Sequence, residues 1–166
     1  MNQRNQNQQS YPRPQPPRLR KDLDISELLD LCSAPLSKEE RVKTLKEQAK
    51  IYPELKYFLI VAYFYTDVFK GILDSNGGLA YIPSTIVTKG ASLESLKSMW
   101  NQIKTIFDTY ESGFRIRRSK AQQLLNRLYK DDALVVHNLF TGNYKNIALN
   151  ASVVAEAFPE DIPNPN

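Results

Sequence analysis

Apolar residues recur at helical spacing along most of this chain, and one stretch has no polar face at all. From Tyr57 to Tyr65 every residue is apolar or aromatic, so this segment is expected at the buried centre. Pro53 suits the first turn of a helix, where a missing N–H costs nothing, and Glu54 suits the positive end of the helix dipole. Periodicity cannot separate helix from strand inside a wholly apolar run. The flanking segments are helical in pattern, so the run is read as a helix packed on several sides. It is much shorter than the roughly 20 residues a membrane span requires.

The same reading gives the other elements. Asp24 caps a helix with Ile25, Leu28, Leu29 and Cys32 on one face, ended by Ala34-Pro35. Ser37 and Glu40 form a capping-box pattern before a helix running towards Ile51, with Val42, Leu45, Ala49 and Tyr52 inward. Thr66 opens a short helical piece containing Val68, Phe69 and Ile72. Residues 74–90 are irregular, with a turn at Asn76-Gly77-Gly78 and short extended segments around 79–82 and 85–88. Ser92 caps a long amphipathic helix whose stripe is Leu93, Leu96, Met99, Trp100, Ile103, Phe107 and Tyr110, ended by Gly113. Ser119 and Gln122 resemble a capping box ahead of Ala121, Leu124, Leu125 and Leu128. Asp131 or Asp132 caps a helix with Ala133, Val136, Leu139 and Phe140 inward, and Thr141-Gly142-Asn143 turns the chain. Asn150 caps a last helix carrying Val153, Val154, Ala157 and Phe158, ended by Pro159. The expected fold is therefore all-α, a single helical-bundle domain of about seven helices over residues 22–160. A disordered leader is expected over 1–21 and a tail over 161–166.

Charge changes this picture in two places. Residues 1–21 are rich in Asn, Gln and Pro and carry Arg4, Arg13, Arg18, Arg20 and Lys21 with no acid. That +5 exceeds the whole chain's net +4, which leaves residues 22–166 at −1. Basicity is thus a property of the leader, read either as a solubilising segment or as a flexible arm for phosphates or an acidic partner. In the body, residues 113–130 contain Arg115, Arg117, Arg118, Lys120, Arg127 and Lys130 and no acid. The plainer reading of this run is a solvated helix face; the sharper one is a stripe that contacts phosphates.

Catalytic chemistry lacks its parts. One cysteine, Cys32, excludes an internal disulfide and a cysteine-rich metal site, and one histidine, His137, leaves no histidine cluster. Both read as ordinary helix residues. No paired carboxylates and no Ser/His/Asp set emerge, and the turn at Gly77-Gly78 has no Walker spacing and opens no helix. No Lys-x-Asp-Gly, the pattern that presents a lysine to ATP in nucleotidyltransferases, is present. The expectation is a protein that is not an enzyme and uses no cofactor, metal or small-molecule substrate. The polar amino terminus has no apolar signal segment, which points to the cytoplasm and away from a membrane.

The carboxy-terminal third carries a family pattern. Its order is a long amphipathic helix, a turn at Gly113, a helix ending Leu-Tyr-Lys130, a capped helix, then Lys145-Asn-Ile-Ala-Leu-Asn-Ala-Ser-Val-Val-Ala-Glu-Ala-Phe-Pro159. This resembles the amino-terminal helical DNA-binding domain of ATP-dependent DNA ligases, particularly those of T-even-type phages. Leu28 to Ala49 is similar to that domain's opening helix pair, and Tyr57 to Lys70 to its aromatic-rich helix, so the resemblance covers roughly residues 24–160. The chain also resembles small stand-alone proteins of T-even-like phages of cyanobacteria. The resemblance implies an all-helical module gripping duplex DNA by its backbone across the minor groove, without the catalytic domain of a ligase. Where the ligases carry an Arg-like residue and a Gly before the final helix, this chain has Asn146 and Ala148, with Lys145 and Asn150 nearby. The expected phosphate contacts are Arg115, Arg117, Arg118, Lys120, Arg127, Lys130 and Lys145, with Asn150 opening a helix start that adds N–H donors. The implied role is a phage accessory protein binding DNA without sequence specificity in the infected cytoplasm. The alternatives are an adaptor that docks on a phage or host protein, and a structural component of the virion.

Overall fold

The computed structural model describes residues 23–72, 79, 95–109 and 113–163, and in it the apolar stripes become seven α-helices. These are α1 (Ile25–Ser33), α2 (Lys38–Ile51), α3 (Pro53–Phe64), α4 (Leu96–Asp108), α5 (Phe114–Leu125), α6 (Lys130–Phe140) and α7 (Ala151–Ala157). A 3-10 turn over Thr66–Ile72 follows α3, and a second over Pro159–Asp161 follows α7. Among the described residues there is no strand, and no helix is long and apolar enough to cross a membrane. The expected leader, the Asn76-Gly77-Gly78 turn, most of the two extended segments, Ser92, Leu93, Tyr110 and the last three residues of the tail lie outside the described residues.

The apolar run at 57–65 does form the central helix. α3 packs against α2, α4, α7 and the first 3-10 turn, and buries Leu55, Phe58, Leu59, Ile60, Val61 and Ala62. Its ends behave differently, because Tyr57 and Tyr65 are exposed. The phenol oxygen lets a tyrosine sit with its ring on the core and its tip in water. Around α3 the side chains of all seven helices join one apolar core, which includes Cys32 from α1, Phe69 from the 3-10 turn and Phe140 from α6. Phe69 meets Phe140 edge-on at 5.3 Å, and Phe58 meets Tyr144 edge-on at 5.5 Å, the geometry aromatic quadrupoles favour.

Helix starts are where the reading and the fold diverge. Ser37 and Asn150 cap α2 and α7 as expected, accepting from the N–H groups of Glu40 and Val153. α4, however, starts at Leu96, with Ser95 as its cap accepting from the Ser98 N–H. α5 starts five residues before the expected Ser119, at Phe114, and Gly113 precedes it instead of ending α4. α6 begins after Tyr129, so neither Asp131 nor Asp132 caps it.

Asp132 is instead buried, and holds two helices together. Its Oδ1 accepts from the Ser26 N–H at 2.9 Å and from the Ser26 hydroxyl at 2.6 Å, tying α6 to the first turn of α1. Burial pushes its pKa above the ordinary carboxylate value, and the two Ser26 hydrogen bonds oppose that only in part. A raised folded-state pKa means the native state binds its proton more tightly than the unfolded chain does. This contribution to stability is full below the unfolded value near 3.8 and is lost as pH rises through the folded value. Asp132→Asn is therefore expected to show a smaller fall in urea midpoint between pH 4 and pH 7 than the parent chain. An equal fall in both proteins would show that this carboxyl does not titrate against the fold.

Candidate nucleic-acid interface

α5 is the element that carries the basic run, and its start at Phe114 fixes where each charge points. Ala121, Leu124, Leu125 and Leu128 are buried, and this face locks the helix on α4, α6 and the first 3-10 turn. Counting back from them by 4, 7 and 11 residues reaches Arg117, so Arg117 belongs to the same inward stripe. It is 2% exposed. Its Nε donates to the Ile106 carbonyl at 3.0 Å and its Nη2 donates to the Val68 carbonyl. Ile106 lies in the last turn of α4, where carbonyls have no partner within the helix and a cation is favoured by the dipole. Arg117 thus fastens α5 to α4 and to the 3-10 turn. The expectation that it contacts phosphate is corrected, since the side chain is buried and its guanidinium donates to carbonyls of the protein itself.

The other basic residues of α5 lie on its outward half. Arg115 is exposed, Arg118 and Lys120 are half-buried, and Arg127, just past the helix end, is exposed, as is Lys130 at the start of α6. On a helix of 3.6 residues per turn, Arg115 and Arg118 fall on one flank and Lys120 and Arg127 on the other, with exposed Ser119 and Gln123 between them. Ile116 stands in the same outward half and is 54% exposed. Gly113 offers no side chain to accept from the first-turn N–H groups, and that turn contains no acid. Arginines at a positive dipole end raise the local potential further, and both act in the same direction on an anion.

Lys145 and Asn150 do not join this surface. Lys145 lines a separate groove of about 340 Å³ between α1, α6 and the 144–146 segment, shared with Glu27, Asp30 and Asp131. Three carboxylates around one lysine make that groove unattractive to a polyanion. Asn150 caps its own helix, its Oδ1 taking the Val153 N–H at 3.2 Å, and α7 has only seven residues. The turn before it is closed in the same way. Asn146 Oδ1 accepts from the N–H groups of Ala148 and Leu149 at 2.9 and 3.0 Å, while its Nδ2 donates to Ser33 Oγ and its own N–H to the Tyr63 hydroxyl. Those N–H groups are the donors a phosphate would need, and a side chain of the protein already takes them. Asn150 thus takes one first-turn N–H of α7 with its own side chain, and Asn146 takes two of the turn before it.

Cys32 is fully buried on α1, and desolvation pushes its thiol up to about 11, so it is not thiolate at neutral pH. His137 is half-buried with Nε2 3.2 Å from the Leu79 carbonyl. Among the described residues no group of three His, Cys, Asp or Glu is arranged to hold a metal ion. Compared with known proteins, the chain matches no family model, no curated protein and no solved structure.

Two features of the surface escaped the sequence. Ile116 was hidden because the helix was expected to begin after it. Trp100 and Phe107 sat in an apparent core stripe, yet both are only partly buried. With Tyr57 and Val61 of α3 they wall an open groove of about 410 Å³ between α3 and α4, edged by Lys104 and Asp108. Tyr57 stacks on Trp100 at 5.9 Å and is 44% exposed. A hint was available, since Lys104 follows Trp100 at i+4 and marks that flank of α4 as solvent-facing.

Proposed function

We propose that the protein is a non-catalytic module that binds the backbone of duplex DNA through the outward half of α5 and the start of α6. The observation that carries this reading is the cationic half of α5. Arg115, Arg118, Lys120, Arg127 and Lys130 reach solvent within a segment, 113–130, that contains no acid, in a body whose net charge is −1. Arg115, Arg118 and Lys120 on α5, with Arg127 just past its end and Lys130 opening α6, concentrate one sign of charge in a way that suits a polyanion. Ile116 suits the same surface, because proteins that enter the minor groove place an apolar side chain among their basic ones. The resemblance to the DNA-binding domain of phage ligases points the same way. It also suggests the setting, an accessory role in the cytoplasm of a phage-infected cell. Contacts of this kind hold phosphates and read no bases, so binding is sequence-tolerant and weakens steeply with salt.

Gel shifts at low salt with intact and nicked duplex test the proposal. Retardation of either at micromolar protein supports it, and retardation of neither defeats it. A second reading, a protein-docking adaptor, is favoured by one observation, the open aromatic groove between α3 and α4. Pull-downs from infected cells with and without nuclease separate the two. Partners retained after nuclease favour the adaptor, and partners lost favour DNA.

A further inference from the structure

Tyr57 stands between two grooves. On one side is the aromatic groove, with Val61, Trp100 and Phe107 as its other walls and Lys104 and Asp108 at its edge. On the other is a groove of about 350 Å³ between α2, α3 and the end of α7, which Lys46, Lys50, Pro53, Lys56 and Phe158 line together with Tyr57. One ring thus has aromatic partners on one side and ammonium groups on the other. It stacks on Trp100 with the two planes 17° apart, and Lys56 Nζ lies 4.9 Å from its centroid. Lys46 and Lys50 are one turn apart on α2, so they share a flank of that helix, and both are exposed. Among the described residues neither is in an ion pair, whereas Lys56 is held by Asp161 at 3.1 Å. No acid is among the described residues that line this second groove.

We propose that the two grooves form one binding track for single-stranded nucleic acid, with a base stacked on the Tyr57–Trp100 pair and neighbouring phosphates on Lys46 and Lys50. Stacking needs a flat apolar surface that the fold leaves uncovered. Tyr57 is 44% exposed and Trp100 is only partly buried, and their rings lie nearly parallel. Phosphates need cations that no carboxylate already neutralises, and Lys46 and Lys50 meet that condition. At the aromatic end Asp108 stands one turn from Lys104 and opposes its charge, so the backbone belongs on the α2 side of the Tyr57 ring. Aromatic rings beside a cationic groove are the general means of holding a single strand, and the stacking tolerates any sequence because every base has a π-face. A duplex does not suit this surface, since its bases are stacked on one another. The track uses α2, α3 and α4 and none of the α5 cations, so it holds or fails independently of the duplex proposal.

Trp100 is the chain's single tryptophan, so its emission reports this site. The full chain is titrated at low salt with oligothymidylate, which stays single-stranded, and separately with a blunt duplex and with polyglutamate. The expected result is saturable quenching of Trp100 by micromolar oligothymidylate, and little by the other two. Tyr57→Ser removes an exposed ring and is expected to weaken oligothymidylate binding about 5- to 150-fold. Lys46→Gln with Lys50→Gln is expected to flatten the salt slope by about 1.4, at about 0.7 for each single-strand phosphate contact. Glutamine at Arg115, Arg118, Lys120 and Arg127 is expected to leave the quenching in place even where it abolishes duplex binding. Circular dichroism at 222 nm checks that each variant is folded. A folded parent that shows no quenching would overturn the proposal, as would equal affinity in the parent, Tyr57→Ser and the double lysine variant. Loss of quenching in the α5 variant would also overturn it, by moving the single strand to α5. Polyglutamate quenching as strongly as oligothymidylate would do the same and give the groove to an acidic polypeptide.

Discussion

Replacing Arg117 with alanine is expected to lower the stability of the domain by about 3–5 kcal/mol, a large share of the roughly 5–15 kcal/mol a domain has in total. The side chain is buried, and it serves carbonyls on two other elements, Ile106 on α4 and Val68 on the 3-10 turn. Alanine removes that donor from both, although the Ile106 carbonyl keeps the Thr109 hydroxyl at 3.3 Å, and opens a cavity in addition. Lysine keeps the charge but is a point donor on a flexible stem, whereas the guanidinium presents a rigid planar fork. Arg117→Lys is therefore expected to fall between parent and alanine. Urea unfolding followed at 222 nm measures all three. A midpoint unchanged in Arg117→Ala would mean that the guanidinium is a surface group after all. By contrast, Arg115→Ala and Arg118→Ala remove side chains that reach solvent, and are expected to shift the midpoint by less than about 1 kcal/mol.

The same arginine shows where sequence reading succeeds and where it stops. The class of fold was legible because apolar residues keep helical spacing on α1, α2, α4 and α7, and one uniformly apolar helix had to lie at the centre. What failed was phase. Ser119 with Gln122 looks like a helix start by local chemistry, and a start there leaves Arg117 in a loop with its charged neighbours. The true start at Phe114 has a glycine cap and no acid in its first turn, so it carries no capping signal. The continuation of the stripe from Leu128, Leu124 and Ala121 back to position 117 was visible, but an arginine is not counted as a core residue. Asp132 is the mirror case. An Asp at the head of a helix is a cap by default, and only the approach of Ser26, 106 residues earlier in sequence, turns it into a buried acceptor. An asparagine before a helix is compatible with an open phosphate-binding turn, and the structure shows it filling that turn with its own side chain. For Arg117 and Asp132 partners distant in sequence decide the role, whereas Asn146 turns back on N–H groups two and three residues on, as asparagine does in local turns.

Those reassignments give the DNA proposal a numerical test. Each phosphate contact releases counterions and contributes about −0.9 to the slope of log affinity against log salt on duplex DNA. The run as written in sequence, with Lys145 added, supplies seven contacts and a slope near −6 by that rule. With Arg117 buried and Lys145 in an acidic groove, five residues are left, and the expected slope is about −4 to −5. Between 50 and 200 mM salt this corresponds to a loss of affinity of roughly 10²–10³. The variant Arg115→Gln, Arg118→Gln, Lys120→Gln and Arg127→Gln removes four of the five, and is expected to flatten the slope to about −1. Glutamine matches arginine and lysine closely in helix propensity, so α5 itself is retained. Anisotropy of a labelled duplex titrated at four salt concentrations gives both slopes, with urea unfolding as the check on folding. A parent slope of the expected size that the variant keeps would move the contact surface off α5. A folded parent with no measurable affinity at the lowest salt would remove DNA as the ligand and turn attention to the α3–α4 groove.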